Sequence, residues 1–222
     1  MKKFKILNLY ACLGGNRYKW DEVADNIEVT AVELDAELAE LYQERFPNDT
    51  VIVADAHQYL LDHYKEFDFI WSSPPCPTHS RIQLSLYTTR DMKYPDMKLY
   101  QEIIFLDTFY KGKYCVENVI PYYEPLIIAK KRGRHLYWTN FNLPSSINER
   151  KNPDLARTKD FISVMSKFHD YDFRKYKGKQ KKNKVSRNLV DYESGKTILE
   201  TVFGIEKKKN EKQTSIFDND NV

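Results

Sequence analysis

The residue with the clearest chemical potential in this sequence is a cysteine between two prolines. Cys76 lies in the run Ser72-Ser73-Pro74-Pro75-Cys76-Pro77, directly after the apolar segment Phe67 to Trp71. Proline fixes its own φ and restricts the residue before it, so the thiol is predicted to lie in a rigid loop at the end of a strand. A structural cysteine is more often buried inside a strand or helix. We therefore interpret Cys76 as a nucleophile.

A glycine pair and two carboxylates follow other strand-like segments. Gly14 and Gly15 come after the first of these segments, Glu33 ends the second and Asp55 follows the third. Paired glycines let a backbone approach a ligand, and an acid about 20 residues further on is suited to ribose hydroxyls. Each acid alone is as well explained as a helix N-cap. Together, on consecutive strand ends, they indicate an adenosine-containing ligand.

A further acid and two guanidinium groups come later in the chain. Glu117 lies in the strand-like segment Tyr114 to Val119, and Arg132 and Arg134 stand just before the segment His135 to Phe141. The ends of several strands thus carry a thiol, carboxylates and guanidinium groups. In an open α/β sheet such groups meet in the crevice at the carboxyl edge.

The sequence also predicts the elements that position these groups. In the first half of the chain, short β-rich runs alternate with segments of helical period, which is typical of a parallel sheet covered by helices on both faces. Helices are predicted over Ala36 to Phe46 and over Leu99 to Phe109, the second with Leu99, Ile103, Leu106 and Phe109 on its core face. Strands are expected at Lys5 to Tyr10, Glu28 to Val32, Thr50 to Val53, Phe67 to Trp71, Tyr114 to Val119 and His135 to Phe141.

Taken in order, these motifs resemble the DNA cytosine-5 methyltransferase family, and its small phage or prophage-like members in particular. The motifs are a glycine-paired first loop, Pro-Pro-Cys followed by Ser80, Glu-Asn-Val at 117–119, and Arg-x-Arg at 132–134. The resemblance covers Lys5 to Phe141 and resumes at Arg187-Asn188-Leu189-Val190. It implies an α/β fold, with a Rossmann-like S-adenosylmethionine-dependent methyltransferase sheet and a small basic target-recognition appendage.

The resemblance implies a role for each catalytic residue. Cys76 would add to C6 of a cytosine flipped out of duplex DNA, and a protonated Glu117 would donate to N3. Arg134 would contact O2 with support from Arg132, and Ser80 would hold the neighbouring phosphate. The cofactor would be S-adenosylmethionine, with no metal, and would contact Tyr10, Ala11, Leu13, Gly14, Gly15, Glu33, Leu34, Asp55, Ala56, Pro75 and Asn188.

The first loop departs from the family pattern. Asn8, Tyr10 and Cys12 stand where the family usually has Asp, Phe and the first Gly. A side chain at Cys12 can crowd the cofactor, so cofactor affinity is the property that this departure affects. Pro77 also replaces the common Gln after the nucleophile, and the recognition region is short for the family.

The charge distribution divides the chain. The net charge is only +3, but lysines and arginines accumulate between Arg150 and Arg187, which indicates a polyanionic partner such as DNA or a solvated loop. We expect a catalytic and cofactor-binding domain at 1–142, a basic target-recognition region at 143–186, a returning helix at 187–204 and a disordered tail at 205–222. Helical spacing is seen from Leu189 to Phe203, although Gly195 weakens it. In the tail, Gln213, Ile216 and Phe217 resemble peptides that dock on bacterial sliding clamps, a pattern that also arises by chance.

Other classes of protein fit the sequence less well. The three cysteines show no CxxC spacing and no apolar stretch reaches about 18 residues, so we expect a soluble, cytoplasmic protein. We also expect it to be a monomer. An exocyclic amino methyltransferase needs an aromatic residue where this chain has Cys76, and a ribosomal-type RNA methyltransferase would use Cys115. Two alternatives stay open: a tRNA cytosine-5 methyltransferase, and a catalytically silent DNA-binding module that keeps the fold.

Overall fold

A twisted sheet of seven strands forms the centre of the computed structural model, which describes residues 2–86, 89, 91, 93–154 and 158–205. The strands are β1 (Phe4–Leu9), β2 (Ile27–Glu33), β3 (Thr50–Val53), β4 (Phe69–Ser72), β5 (Lys113–Val119), β6 (Lys130–Arg132) and β7 (His135–Thr139). Their order across the sheet is β3-β2-β1-β4-β5-β7-β6. The first five strands are parallel, and β7 runs antiparallel between β5 and β6.

The described helices connect the strands and also form most of the described segment that follows β7. They are α1 (Ala36–Arg45), α2 (Ala56–His63), α3 (Ile82–Leu86), α4 (Lys98–Phe109), α5 (Phe161–His169), α6 (Lys182–Arg187) and α7 (Tyr192–Val202), with 3₁₀ turns at Trp20–Glu22, Tyr64–Glu66 and Phe173–Lys175. None of the described helices is long and apolar enough to cross a bilayer.

Helices cover both faces of the sheet. On one face, Leu7, Ile70 and Val116 pack against Leu60 of α2 and Leu106 of α4. On the other, alternate strand residues such as Ile6, Trp71 and Cys115 pack against Ile198 of α7 and Trp20. Because successive side chains of a strand point to opposite faces of the sheet, these strands contribute side chains to the hydrophobic cores on both faces. The predicted α/β fold, with helices on both faces of its sheet, is confirmed.

The cores of the two predicted helices agree with their apolar stripes, with one exception. Asp35 caps α1 by accepting hydrogen bonds from the backbone N–H of Glu37 and Leu38, and Leu38, Leu41 and Tyr42 are buried. In α4, however, Phe109 is exposed, and the prediction that it faces the core is wrong. Tyr110 ends the helix in an extended conformation and is buried in its place, because the chain turns inward there to begin β5.

The chain after β7 packs back onto the sheet domain. Met165 of α5, Phe173 and Val185 of α6 form a core with Leu13 and with α1. The helical segment predicted from Leu189 begins later, at Tyr192, because Asp191 caps α7 through the backbone N–H of Glu193 and Ser194. The clamp-like peptide with Gln213, Ile216 and Phe217 lies outside the described residues.

Candidate active site

A cavity of about 1010 Å³ opens at the carboxyl edge of the sheet. It lies where the strand order reverses between β1 and β4, which is the usual ligand crevice of an open α/β sheet. Ligand pockets typically measure about 300–1,000 Å³, so this cavity has room for a nucleoside cofactor and a second ligand. Its wall is formed by the loop after β1, the ends of β2, β4 and β5, and residues from 178 to 190.

Cys76 lines one end of this cavity in a loop that is tied to β5. The amide of Asn118 donates to the Pro74 carbonyl at 2.9 Å, and the hydroxyl of Ser73 donates to Oε2 of Glu117 at 2.9 Å. The backbone N–H groups of His79 and Ser80 both donate to the Cys76 carbonyl at 3.0 Å. The loop predicted from the prolines is therefore held on both sides, and Cys76 and Glu117 face the same cavity.

The electrostatic surroundings of the thiol oppose its ionisation. Burial raises the pKa of Cys76, and the nearby Glu117 carboxylate raises it further, whereas Lys184 of α6 acts in the opposite direction. Added positive charge or loss of the Glu117 charge would therefore favour the thiolate, which is the nucleophilic form. Cys115 is fully buried in β5, where burial holds its pKa well above the usual range. Of the two cysteines, only Cys76 lines the cavity.

The other end of the cavity has groups that suit an adenosine. Glu33 accepts from the backbone N–H of Cys12 at 2.8 Å and of Asp35 at 3.0 Å, which leaves lone pairs on both of its oxygens for ribose hydroxyls. Leu34 is 69% exposed at the cavity wall and offers an apolar surface for a purine. Asp55 also lines the cavity, and its Oδ1 caps α2 by accepting from the backbone N–H of Gln58.

The loop between β1 and the Trp20 turn adopts an unusual backbone. Tyr10, Cys12 and Gly14 all have positive φ, at 56°, 47° and 66°. Cys12, which replaces a glycine of the family pattern, therefore occupies a conformation that glycine adopts at no steric cost. Its N–H donates to Glu33, so this loop is tied to the end of β2 on the cavity wall.

A comparison with known families agrees with this geometry. The sequence model of the C-5 cytosine-specific DNA methylase family matches residues 4–121, more than half of the 222 residues. The chain belongs to this family. The resemblance predicted from the motifs is confirmed, and the cofactor is S-adenosylmethionine. Two residues of the cavity wall, Glu33 and Leu34, offer a carboxylate and an apolar surface that suit its ribose and its purine.

The chain is also similar to solved methyltransferases, at low identity. A mutant of Spodoptera frugiperda DNMT2 is 20% identical, covers 72% of this chain and 59% of its own, and has a TM-score of 0.43. A putative DNA modification methyltransferase encoded in an Escherichia coli prophage is 14% identical over 68% of this chain and 52% of its own, with a TM-score of 0.42. The chain thus spans between half and three fifths of these two proteins. A search of the curated proteins finds no match.

Most of the residues predicted from the motifs line the cavity of this family member. From the predicted sets, the cavity brings together Cys76, Glu117, Tyr10, Ala11, Gly15, Glu33, Leu34, Asp55, Ala56, Pro75 and Asn188. Leu13 and Gly14 do not line it. Leu13 is buried in the core beside α1, and Gly14 packs so closely on Phe46 and Tyr42 that a Cβ would lie 2.4 Å from the Phe46 ring.

Neither arginine of the Arg-x-Arg motif lines the cavity. Arg134 pairs with Glu149 at 3.0 Å, and Arg132 donates to the carbonyls of Pro144 and Leu143. Ser80 also lies outside the wall and forms an isolated β-bridge with Pro121. The roles assigned to these three residues stay predictions.

The cavity wall includes residues that the motifs do not predict. His135, expected only as the first residue of a strand, lines the cavity with its Nε2 3.6 Å from Oε1 of Glu117. Gln180, Lys184 and Arg187 reach the wall from the basic region. The run of lysines indicates that the basic region is a binding surface. No local sequence pattern indicates that this region folds against the cavity.

Proposed function

We propose that this chain is a DNA (cytosine-5-)-methyltransferase that acts on a flipped-out cytosine through a covalent adduct with Cys76. The observation that supports it best is the shared cavity: a constrained thiol, a buried carboxylate and a nucleoside-binding end lie in one crevice of a C-5 cytosine-specific DNA methylase domain. Cytosine C5 is a poor nucleophile, so a thiolate must first add to C6 and make C5 enamine-like.

The chain's own residues then manage the charge that the addition creates. The Cys76 thiol passes its proton to water as the sulfur bonds to C6, and the electron pair of the C5–C6 double bond moves onto the ring, where negative charge accumulates. Glu117, whose side chain is only 7% exposed, is placed to donate a proton to N3, since its Oε2 is already fixed by the Ser73 hydroxyl. S-adenosylmethionine supplies an electrophilic methyl group on its sulfonium. A base or water then takes the C5 proton, and the electrons of the C5–H bond re-form the C5–C6 double bond as the Cys76 sulfur leaves.

The basic region is proposed to bind the nucleic acid. C6 is stacked between neighbouring bases in a duplex, so the target has to be extruded at a cost of a few kcal/mol. Several cations of this region are exposed. Lys179, Lys184 and Arg187 also line the cavity, whereas Lys177 and Lys181 do not. Cations at this rim can contact phosphates beside the flipped nucleotide. We therefore propose residues 143–186 as the target-recognition region and 1–142 with 187–204 as the catalytic unit.

The first test is covalent trapping. Because the flanking bases are unknown, the probe is long duplex DNA in which 5-fluorocytosine replaces cytosine throughout, incubated with the protein and S-adenosylmethionine. A fluorine at C5 cannot leave as a proton does, so the proposed mechanism predicts a denaturant-stable adduct seen by intact mass. Cys76→Ser is expected to abolish it, and Cys115→Ser, which removes the buried strand thiol, is expected to retain it.

The same experiment separates the rival functions. A 5-fluorocytidine tRNA transcript, tested in parallel, would form the adduct if the substrate is tRNA. A silent DNA-binding module predicts DNA affinity that does not depend on S-adenosylmethionine and is the same in Cys76→Ser. If neither nucleic acid forms an adduct while calorimetry shows that the cofactor binds, the covalent mechanism is wrong.

A further inference from the structure

A histidine that the family motifs do not include faces the proposed catalytic acid. His135 begins β7 and pairs in register with Val119 of β5 and Arg132 of β6. Its side chain is 17% exposed and lies between two carboxylates: Nε2 is 3.6 Å from Oε1 of Glu117, and Nδ1 is 3.3 Å from Oε1 of Glu149. A neutral imidazole has one N–H donor, whereas the imidazolium has two. Carboxylate oxygens at both nitrogens therefore favour the imidazolium.

Glu149 is the fixed end of this arrangement. It accepts from the backbone N–H of Arg134 at 3.1 Å and pairs with the Arg134 guanidinium at 3.0 Å. Burial opposes its ionisation, but His135 and Arg134 outweigh that effect and lower the pKa of Glu149 to about 2. Glu149 is therefore a permanent anion at neutral pH, and it holds both Arg134 and His135.

The balance of charges around His135 comes from several elements. Burial lowers the pKa of His135, but the carboxylates of Glu117 and Glu149 outweigh burial and raise it above its usual value, against a smaller opposing effect of Arg134. The neighbouring elements carry further ionisable groups: Lys130, Lys131 and Arg132 on β6, Tyr137 on β7 with its ring centroid 6.5 Å from that of His135, Cys115 on β5, and Cys76 and Lys184 on the cavity wall.

We propose that His135 is a proton relay for ring activation, with its imidazolium supplying through Glu117 the proton that neutralises the pyrimidine ring. This inference rests on the proposed function. As the sulfur–C6 bond forms, the Nε2–H bond of His135 breaks and an O–H bond forms on Oε1 of Glu117. That O–H bond then breaks as N3 takes the proton. When the sulfur leaves, the same proton returns along the same path, so His135 acts through Glu117 as a positioning residue.

Burial of Glu117 explains why such a relay is needed. The side chain is 7% exposed before any DNA covers the cavity, and a flipped base would close the remaining access to water. The distance of 3.6 Å is longer than a hydrogen bond, and catalytic hydrogen bonds are commonly long in free enzymes and shorten in the complex.

The test compares His135→Gln with the wild-type protein in single-turnover methylation across pH. Both proteins contain Cys76, so the effect of its ionisation on the rate cancels when the wild-type rate is divided by the variant rate. This ratio is expected to be about tenfold or more near pH 6 and to fall towards one as the pH rises through the pKa of His135, because neutral imidazole cannot supply the proton. His63→Gln, which removes a surface histidine paired with Glu66, is the matched control and should give a ratio of one throughout.

A second variant tests the charge arrangement without removing His135. Glu149→Gln removes the fixed anion. In that variant, the contribution of His135 to the methylation rate should be lost at a lower pH than in the wild-type protein. NMR titration of the histidine ring protons, with His135→Gln used for assignment, should show the same downward shift of the His135 pKa. A purely structural role for His135 predicts neither shift.

The outcomes separate this inference from the function on which it rests. If wild-type protein forms no adduct with either nucleic acid, the proposed function fails, and the NMR titration still tests the arrangement of His135. If the wild type forms the adduct but the rate ratio for His135→Gln is flat across pH, the relay is wrong and the function stands. An NMR pKa at or below the ordinary histidine value would also overturn the relay.

Discussion

Individual residues of this protein depart from the family pattern where backbone geometry matters most. Cys12 stands where a glycine is usual and has φ at 47°, a left-handed conformation that a side chain makes costly. The hydrogen bond from its N–H to Glu33 and the packing of its side chain beside Leu13 hold it there. The strain is therefore stored in the loop that also lines the cofactor end of the cavity.

At this residue scale, we predict that Cys12→Gly unfolds at higher urea concentration than Cys12→Ala. Both variants lack the thiol, so the comparison isolates backbone strain, and glycine should be favoured by about 1 kcal/mol. Calorimetry with S-adenosylmethionine would show in addition whether the smaller residue improves cofactor affinity. Ala39→Gly, inside α1, is the control and should destabilise by about 1 kcal/mol. If Cys12→Ala were as stable as Cys12→Gly, the positive φ at this position would not strain the backbone, and the prediction would be wrong.

Among the elements, α7 shows how packing overrides intrinsic preference. Gly195 lies inside this helix, where glycine is unfavourable, yet a Cβ there would lie 2.1 Å from the carbonyl oxygen of Asn16. The Trp20 indole also donates to the Gly195 carbonyl at 3.2 Å. The helix α7 thus packs directly on the backbone of the loop after β1. In that loop, the Asn16 amide donates a hydrogen bond to the Asn8 side chain of β1.

We predict that Gly195→Ala destabilises the protein by about 1–3 kcal/mol, although helix propensity alone favours alanine by about 1 kcal/mol. The measurement is chemical denaturation followed by circular dichroism. Ser194→Ala, one residue earlier, removes a buried hydroxyl that has no hydrogen-bond partner within the described residues and should be neutral or slightly stabilising. A stabilised Gly195→Ala protein would show that α7 and the loop can separate at little cost.

Across the whole molecule, the basic region and the cofactor cavity are joined. Asp35, which follows β2 and lines the cavity, accepts from the Tyr176 hydroxyl at 3.0 Å and from the Gln180 amide at 3.1 Å. The backbone N–H of Lys177 donates to Glu37 of α1. The charged segment is therefore anchored over one edge of the sheet, and its cations share a rim with Cys76.

The distribution of charge over the molecule gives a prediction for DNA binding. Replacing Lys177, Lys179 and Lys181 by Gln should weaken binding and reduce the slope of log affinity against log salt by up to about 0.9 for each phosphate that the variant no longer neutralises. Fluorescence anisotropy over a range of salt concentrations measures the slope. Lys2, Lys65 and Lys111 precede β1, β4 and β5, so they lie at the opposite edge of the sheet, and their replacement should leave the slope unchanged. Equal effects of the two triple variants would contradict a DNA surface at the cavity rim.

The sequence by itself determined every described strand except β6, together with the residues at the carboxyl ends of the parallel strands. Alternating and helical apolar patterns are local, so β3 and α1 are found nearly as predicted, and parallel strands bring Cys76, Glu117 and Glu33 to one edge without any knowledge of loops. The rigid loop around Cys76 also follows from local chemistry, because proline restricts its own backbone and that of its neighbour.

Only the tertiary structure decided which other side chains enter the site. His135 reaches Glu117 because β7 runs antiparallel beside β5, and Lys184 reaches the wall because α6 folds back over the cofactor side. Arg134 pairs with Glu149 for a similar reason, since these residues meet only when the chain after β7 packs back onto the sheet domain. Such contacts join segments distant in sequence, and they depend on the free energy of packing the whole chain, which no local pattern of residues records.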